Sequence, residues 1–89
     1  QAWRQGQIIN LTPSTHKLLL CLMRAAPGVV KKHEMEYLLW GDEPPESGAL
    51  RTHIHDLRQR IDKNFTPALI ETVHGIGFRL HRPFEVSQE

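Results

Sequence analysis

The sequence predicts an α+β domain with three helices, a C-terminal β-hairpin and a short N-terminal β element. Apolar residues recur at i, i+4, i+7 and i+11, on one helical face formed by Leu50, Ile54, Leu57 and Ile61. An alternating segment from Ala68 to His74 is followed by Gly75-Ile76-Gly77, which predicts a hairpin. The length of 89 residues is enough for one hydrophobic core. We therefore expect residues 1–89 to form a single domain.

The N-terminal part is predicted to hold a small hairpin and the first helix. Ala2 to Arg4 and Gln7 to Asn10 are short extended segments on either side of a glycine. Thr12 as N-cap and Pro13 at the first helical position predict a helix from Pro13 to about Ala25, because Pro27-Gly28 then ends it. Apolar side chains surround most of this helix, so it must be covered on more than one side.

Two more helices follow. Val29-Val30 reads as a short extended link, and Lys32 to Leu39 as a second helix with inward side chains at Met35, Leu38 and Leu39. Residues 42–47 form a loop, since two adjacent prolines prevent a helix there.

The third helix is expected to begin at a Ser47 cap and to end near Lys63-Asn64, with Asn64 in the left-handed conformation. The hairpin strands are then Ala68 to His74 and Phe78 to His81, and Phe78 is expected to pack the hairpin onto the third helix.

Charge is unevenly distributed, although the net charge is only +1. Residues 34–46 contain five acidic residues and no Lys or Arg, whereas residues 51–82 contain six Lys or Arg against three acidic residues. Outside its apolar stripe, the third helix is polar with an excess of positive charge. Such side chains hydrogen-bond base edges and meet phosphates, so the pattern favours a helix that lies in the DNA major groove.

Composition disfavours other classes of function. No apolar run approaches the about 18 residues of a membrane span, and no signal peptide is visible, so we expect a cytoplasmic protein without a membrane partner. The single cysteine, Cys21, lies in an apolar cluster and is expected to pack as a small hydrophobe. His53 and His55 lie two residues apart on a helix and cannot chelate one ion together. We expect no enzyme activity, metal or cofactor.

Several sequence blocks, taken as a set, resemble the OmpR/PhoB-type effector domain of bacterial response regulators. They span about residues 8–82 and comprise Leu11-Thr12-Pro13 with Leu18-Leu19, Val29-Val30, Leu38-Leu39-Trp40-Gly41, Leu50 with His53-Ile54 and Leu57-Arg58, and Thr72-Val73 with Gly75, Gly77, Phe78 and Arg79. The resemblance implies a winged helix-turn-helix transcription factor, with the third helix in the major groove and the hairpin, or wing, on the minor groove. It also implies that a phospho-receiver domain is missing from this chain and that the N-terminal sheet is truncated.

The resemblance and the helix geometry together assign roles to individual residues. The expected phosphate contacts are Lys32, Trp40, Arg51, His53 and Arg58. The expected base-reading residues are Thr52, His55, Asp56, Gln59 and Thr72, of which Thr52 and Gln59 point directly away from the apolar stripe. The wing residues are His74, Gly75, Gly77 and Arg79, and both glycines are expected to serve turn geometry. Asp56 can accept from cytosine N4 or repel phosphate, and Arg60 is either solvated or a contact.

Two functional hypotheses remain. The first is sequence-specific binding of double-stranded DNA. For it, the resemblance implies a direct-repeat promoter site, tandem dimers of the full-length protein, and a cognate sensor kinase that acts through the receiver domain. The second is a protein-docking module that uses the acidic loop, Asp42, Glu43 and Glu46, which faces RNA polymerase in the resembling family.

Overall fold

The fold consists of three helices and two small antiparallel sheets. The computed structural model describes residues 2–46, 48–81 and 86–88. The elements are β1 (Ala2–Arg4), β2 (Gln7–Ile9), α1 (Pro13–Ala25), β3 (Val30–Lys31), α2 (Lys32–Trp40), α3 (Ala49–Ile61), β4 (Ile70–Val73), β5 (Gly77–Leu80) and β6 (Val86–Gln88). The predicted α+β class, with three helices and a C-terminal hairpin, is confirmed. No helix in the described ranges has the length and apolar character needed to cross a membrane.

Helix α1 lies at the centre of the domain and has the bounds that its sequence predicts. It begins where the Thr15 amide donates to Thr12 Oγ1 at 3.2 Å and the Thr12 amide donates to Thr15 Oγ1 at 2.8 Å. Leu18, Leu19 and Leu22 are fully buried. The helix packs against α3, β5, α2 and β3, so it is covered on more than one side, as expected.

The two sheets each combine strands from separate parts of the sequence: the first joins the N-terminal strands β1 and β2 to β6, and the second joins β3 to the hairpin β4–β5. The first has the strand order β2-β1-β6, and the second has the order β3-β5-β4. In the second sheet, β4 and β5 form the predicted hairpin, with Thr72 opposite Phe78. Val30, predicted only as part of an extended link, pairs with Phe78 and makes β3 the third strand.

The two glycines of the hairpin serve different purposes. Gly75 has φ +74°, so the prediction that it serves turn geometry is confirmed. For Gly77 that prediction is wrong. A Cβ atom at Gly77 would lie 1.9 Å from the carbonyl oxygen of Val30, so this glycine permits the close approach of β3 and β5.

Helix α2 differs from its prediction on one face. Its first turn is closed by the Lys31 amide, which donates to Glu34 Oε1 at 2.9 Å. Met35 is fully buried and Leu39 packs against the core, as expected. Leu38 does not face inward: it is 41% exposed, because it lies at the edge of an open groove between α2 and α1.

Helix α3 ends at Ile61, two residues before the predicted end. Beyond Ile61 the chain leaves the helix and returns to Asp62, whose carboxylate accepts hydrogen bonds from the amides of Leu69 at 3.0 Å and Ile70 at 3.1 Å. Asn64 does not adopt the left-handed conformation, since Gln5 is the one described non-glycine residue with a positive φ. At the other end the predicted cap, Ser47, lies outside the described residues, and Gly48 with φ +93° is the N-cap.

Candidate nucleic-acid interface

Helix α3 presents a polar face away from the core. The four residues of its apolar stripe are buried, which confirms the stripe: Leu50, Ile54, Leu57 and Ile61. On the opposite side Thr52, His55 and Gln59 are exposed, and Asp56 is partly exposed. These four residues are the ones that the sequence assigns to base reading on this helix. They form a continuous surface with no described element over it.

A groove of about 770 Å³ separates α3 from the hairpin β4–β5. Its lining includes six of the predicted site residues, namely Lys32, Arg51, Arg58, Thr72, His74 and Gly75. Three of them are Lys or Arg, whereas Glu36 is the one acidic side chain among the described lining residues. The groove therefore suits an anionic ligand.

Arg58 is held in place at the wall of this groove. Its Nη2 donates to Thr72 Oγ1 at 2.7 Å and to the carbonyl of Ile70 at 3.4 Å. The guanidinium carbon lies 5.9 Å from the ring centroid of Phe78, a cation–π distance. Phe78 is itself only 6% exposed, and its ring meets α3 through this contact with Arg58. Arg58 is thus pre-positioned by the hairpin.

A second pair of predicted phosphate contacts meets on the other flank of α3. The ring centroids of Trp40 and His53 are 5.6 Å apart, and the ring planes are inclined at 52°. Trp40 is partly buried against the core at the end of α2. The structure therefore places cationic or polar side chains on both sides of the exposed face of α3.

Asp56 is not a free carboxylate. Arg60 Nε contacts Asp56 Oδ1 at 2.8 Å, and Arg60 Nη1 donates to the carbonyl of Asn10 at 2.6 Å. Arg60, for which the sequence left two roles open, thus connects Asp56 to the N-terminal hairpin. The i, i+4 spacing of the two residues was a signal for this pair.

Arg79 lies apart from the groove, on the other face of the hairpin. Its Nε donates to Glu71 Oε1 at 2.6 Å, and His81 Nε2 lies 2.9 Å from the same oxygen. The hydrogen bond from Arg79 holds the pKa of the Glu71 carboxyl below its ordinary value, and the charge of Arg79 and that of His81 act in the same direction. Side chains alternate along a strand, so Arg79 and the inward-facing Phe78 point to opposite sides.

Asp42, Glu43 and Glu46 are exposed in the loop between α2 and α3. Throughout the described part of the chain, no three His, Cys, Asp or Glu side chains gather as ligands of a metal ion would.

The family model described as "Transcriptional regulatory protein, C terminal" matches residues 6–80. The chain belongs to this family. Its members are transcriptional regulators and not a class of enzyme. The chain is 41% identical over 80 residues to the transcriptional regulatory protein QseB of Haemophilus influenzae, a match that covers 88% of this chain and 34% of QseB.

Other transcriptional regulators and one solved structure are also similar to this chain. The response regulator PmrA of Pseudomonas aeruginosa is 32% identical over 93% of this chain and 36% of its own length, and the transcriptional regulator HilA of Salmonella typhimurium is 30% identical over 93% of this chain and 15% of its own. The response regulator DrrB of Thermotoga maritima, an OmpR/PhoB homolog, superposes with a TM-score of 0.74 at 27% identity, covering 86% of this chain and 36% of DrrB. The chain thus has the OmpR/PhoB winged-helix fold. It spans about a third of the length of QseB and PmrA.

Proposed function

We propose that this transcriptional regulatory domain binds double-stranded DNA sequence-specifically, with α3 in the major groove and the hairpin β4–β5 on the minor groove. The observation that carries the proposal is the exposed polar face of α3, flanked by a groove that Lys32, Arg51 and Arg58 line. A major groove about 12 Å wide admits one α-helix, and its base edges match hydroxyl, amide, imidazole and carboxylate side chains. Phosphates on one side would meet Lys32, Arg51 and Arg58, and phosphates on the other side would meet Trp40 and His53.

The direct test is a titration of the ¹⁵N-labelled domain with a mixed-sequence duplex at low salt. We expect the amide resonances of the exposed α3 residues, such as Thr52, His55 and Gln59, and those of the hairpin to change their chemical shifts. Those of the N-terminal half of α1 should change little. In the same titration at higher salt the affinity for the duplex should fall steeply, because phosphate contacts release counterions. Shifts confined to α2 and the loop 42–46, or no shifts at low salt, would contradict DNA binding through α3.

In the full-length protein, the domain would be the output of a phosphorylation-controlled response regulator. The names of PmrA and DrrB, both response regulators, support this context. A receiver domain would then connect the protein to a sensor kinase, and self-association would place two copies in tandem on a direct-repeat promoter site. Two separate experiments test this context. The first measures phosphate transfer from a sensor kinase to the full-length protein. The second measures the mass of the complex with a two-site duplex, which should contain two copies of the protein.

The acidic loop favours a second role, the docking of RNA polymerase. Asp42, Glu43 and Glu46 are exposed and lie outside the groove between α3 and the hairpin. Reversing Glu43 and Glu46 to Lys should reduce transcription activation in vitro and leave DNA affinity intact. Joint loss of both activities would contradict a separate docking role.

A further inference from the structure

A buried ion pair joins the N-terminal hairpin to the end of α3. The side chain of Arg4, on β1, is fully buried and that of Asp62 is 8% exposed, with Arg4 Nη1 at 2.8 Å from Asp62 Oδ1. The cost of removing two charges from water can exceed the attraction between them unless hydrogen bonds satisfy their remaining donors and acceptors. Both residues have such partners.

Arg4 binds the connection from α3 to the wing at two points. Its Nη1 donates to the carbonyl of Ile61, the last residue of α3, and its Nη2 donates to the carbonyl of Pro67. The guanidinium carbon also lies 5.1 Å from the ring centroid of Phe65. Next to it, Gln5 Nε2 donates to the carbonyl of Thr66 at 2.9 Å. One face of the segment therefore rests on the N-terminal hairpin.

Asp62 determines where the wing begins. Its two carboxylate oxygens accept from the amides of Leu69 and Ile70, and Ile70 is the first residue of β4. The carbonyl of the same Ile70 accepts from Arg58 on α3. The chain of contacts thus runs from β1 through the end of α3 to the strand that carries Thr72.

We propose that Arg4 is a positioning residue for DNA binding: through its ion pair with Asp62 it sets the wing relative to α3. This inference rests on the proposed function, because α3 and the wing must fit one duplex at the same time. Functional groups have to be held within about 0.5 Å of their productive geometry, and buried second-layer side chains provide that constraint. Arg4 belongs to neither of the elements that it aligns.

The first test needs no DNA. In Arg4→Lys the charge is kept, but the forked donor that reaches two carbonyls and a carboxylate is lost. The matched control is Arg24→Lys, the same change at an exposed site on α1. We expect the amides of Leu69 and Ile70 to exchange about tenfold faster in Arg4→Lys than in the control, beyond the increase that the measured loss of global stability accounts for, since local opening would be added. Arg4→Gln, which leaves the Asp62 acceptors in place, is measured in parallel in case Arg4→Lys does not fold.

The second test separates positioning from plain stability by footprinting a bound duplex. Guanine N7 methylation reports α3 in the major groove, and hydroxyl-radical cleavage reports the wing at the minor groove. One binding equilibrium governs both footprints, so we compare the extent of protection at saturating protein: we expect Arg4→Lys to lower protection at the wing about tenfold while the α3 footprint stays fully protected. Equal losses in both footprints, or amide exchange in a folded Arg4 variant that matches the Arg24→Lys control, would overturn the proposal. If the wild-type domain protects no duplex, DNA binding fails while the exchange experiment still decides whether Arg4 holds the wing.

Discussion

Arg58 of α3 donates a hydrogen bond to the Thr72 hydroxyl of the wing at 2.7 Å. The sequence treats these residues as separate contacts, one to a phosphate and one to a base. In the structure the wing strand instead holds the arginine, so that the position of the α3 cation depends on β4. A residue that is already ordered loses less side-chain entropy when it meets a phosphate.

Replacing Thr72 with Val should therefore weaken DNA binding through Arg58. Valine keeps a methyl group at this predicted base-reading position and removes only the hydroxyl acceptor. We expect an affinity loss of about fivefold, which corresponds to one intramolecular hydrogen bond at about 1 kcal/mol. Fluorescence anisotropy on wild type, Thr72→Val, Arg58→Ala and the double variant measures the coupling. Additive losses would show that the two residues act independently.

The salt dependence of binding tests Arg58 as a phosphate contact. Arg58→Ala should reduce the slope of log K against log salt by about 0.9, the value for one released counterion. Lys17→Ala, which removes an exposed charge from α1 outside the groove, is the matched control and should leave the slope unchanged. An identical slope in Arg58→Ala and wild type would remove Arg58 from the phosphate contacts.

The close approach of β3 and β5 predicts different costs for two glycine substitutions. Gly75→Ala should cost about 1 kcal/mol, because alanine must adopt a left-handed φ. Gly77→Ala should cost about 3 kcal/mol or more, since its Cβ cannot be accommodated beside a backbone carbonyl without separating the strands. Urea denaturation of the two variants compares the free energies of unfolding. Similar costs would contradict the pairing of Val30 with Phe78.

These glycines show why part of the fold could be predicted from sequence and part could not. Helix α1 carries its own cap and stop signals at Thr12, Pro13 and Pro27, and its predicted bounds match those observed. Gly77 is required by Val30, which lies far away in the chain. A contact between such distant residues cannot be predicted from local sequence patterns.

The end of α3 and the burial of Arg4 also depend on contacts between residues that are distant in sequence, so they could not be predicted. Nothing near Asp62 in sequence indicates that its carboxylate bonds to amides seven and eight residues later and to an arginine on β1. The polar face of α3 was predictable, because the stripe from Leu50 to Ile61 has helical periodicity. The pairs Arg58–Thr72 and Trp40–His53 required the folded chain.

Acid should weaken the outer face of the wing. The pKa of Glu71 is lowered by its hydrogen bond from Arg79, so this pair stabilises the fold above the ordinary glutamate pKa and is lost as pH falls through the lowered pKa. We expect the melting temperature of wild type to exceed that of Glu71→Gln slightly at neutral pH, because exposed pairs contribute little. The difference should shrink toward zero in strong acid. A difference that persists undiminished in strong acid would contradict the assignment.

Selection of bound sequences from a random-duplex library, at low and at moderate salt, tests DNA recognition by this domain. Sequence-specific binding predicts enrichment of one short motif at both salts, with copies repeated about one helical turn, or about 10 base pairs, apart if domains bind in tandem. The same selection with Asp56→Asn should change the preferred base at one position. Recovery of unenriched sequences at both salts would contradict sequence-specific binding and leave the acidic loop as the functional surface.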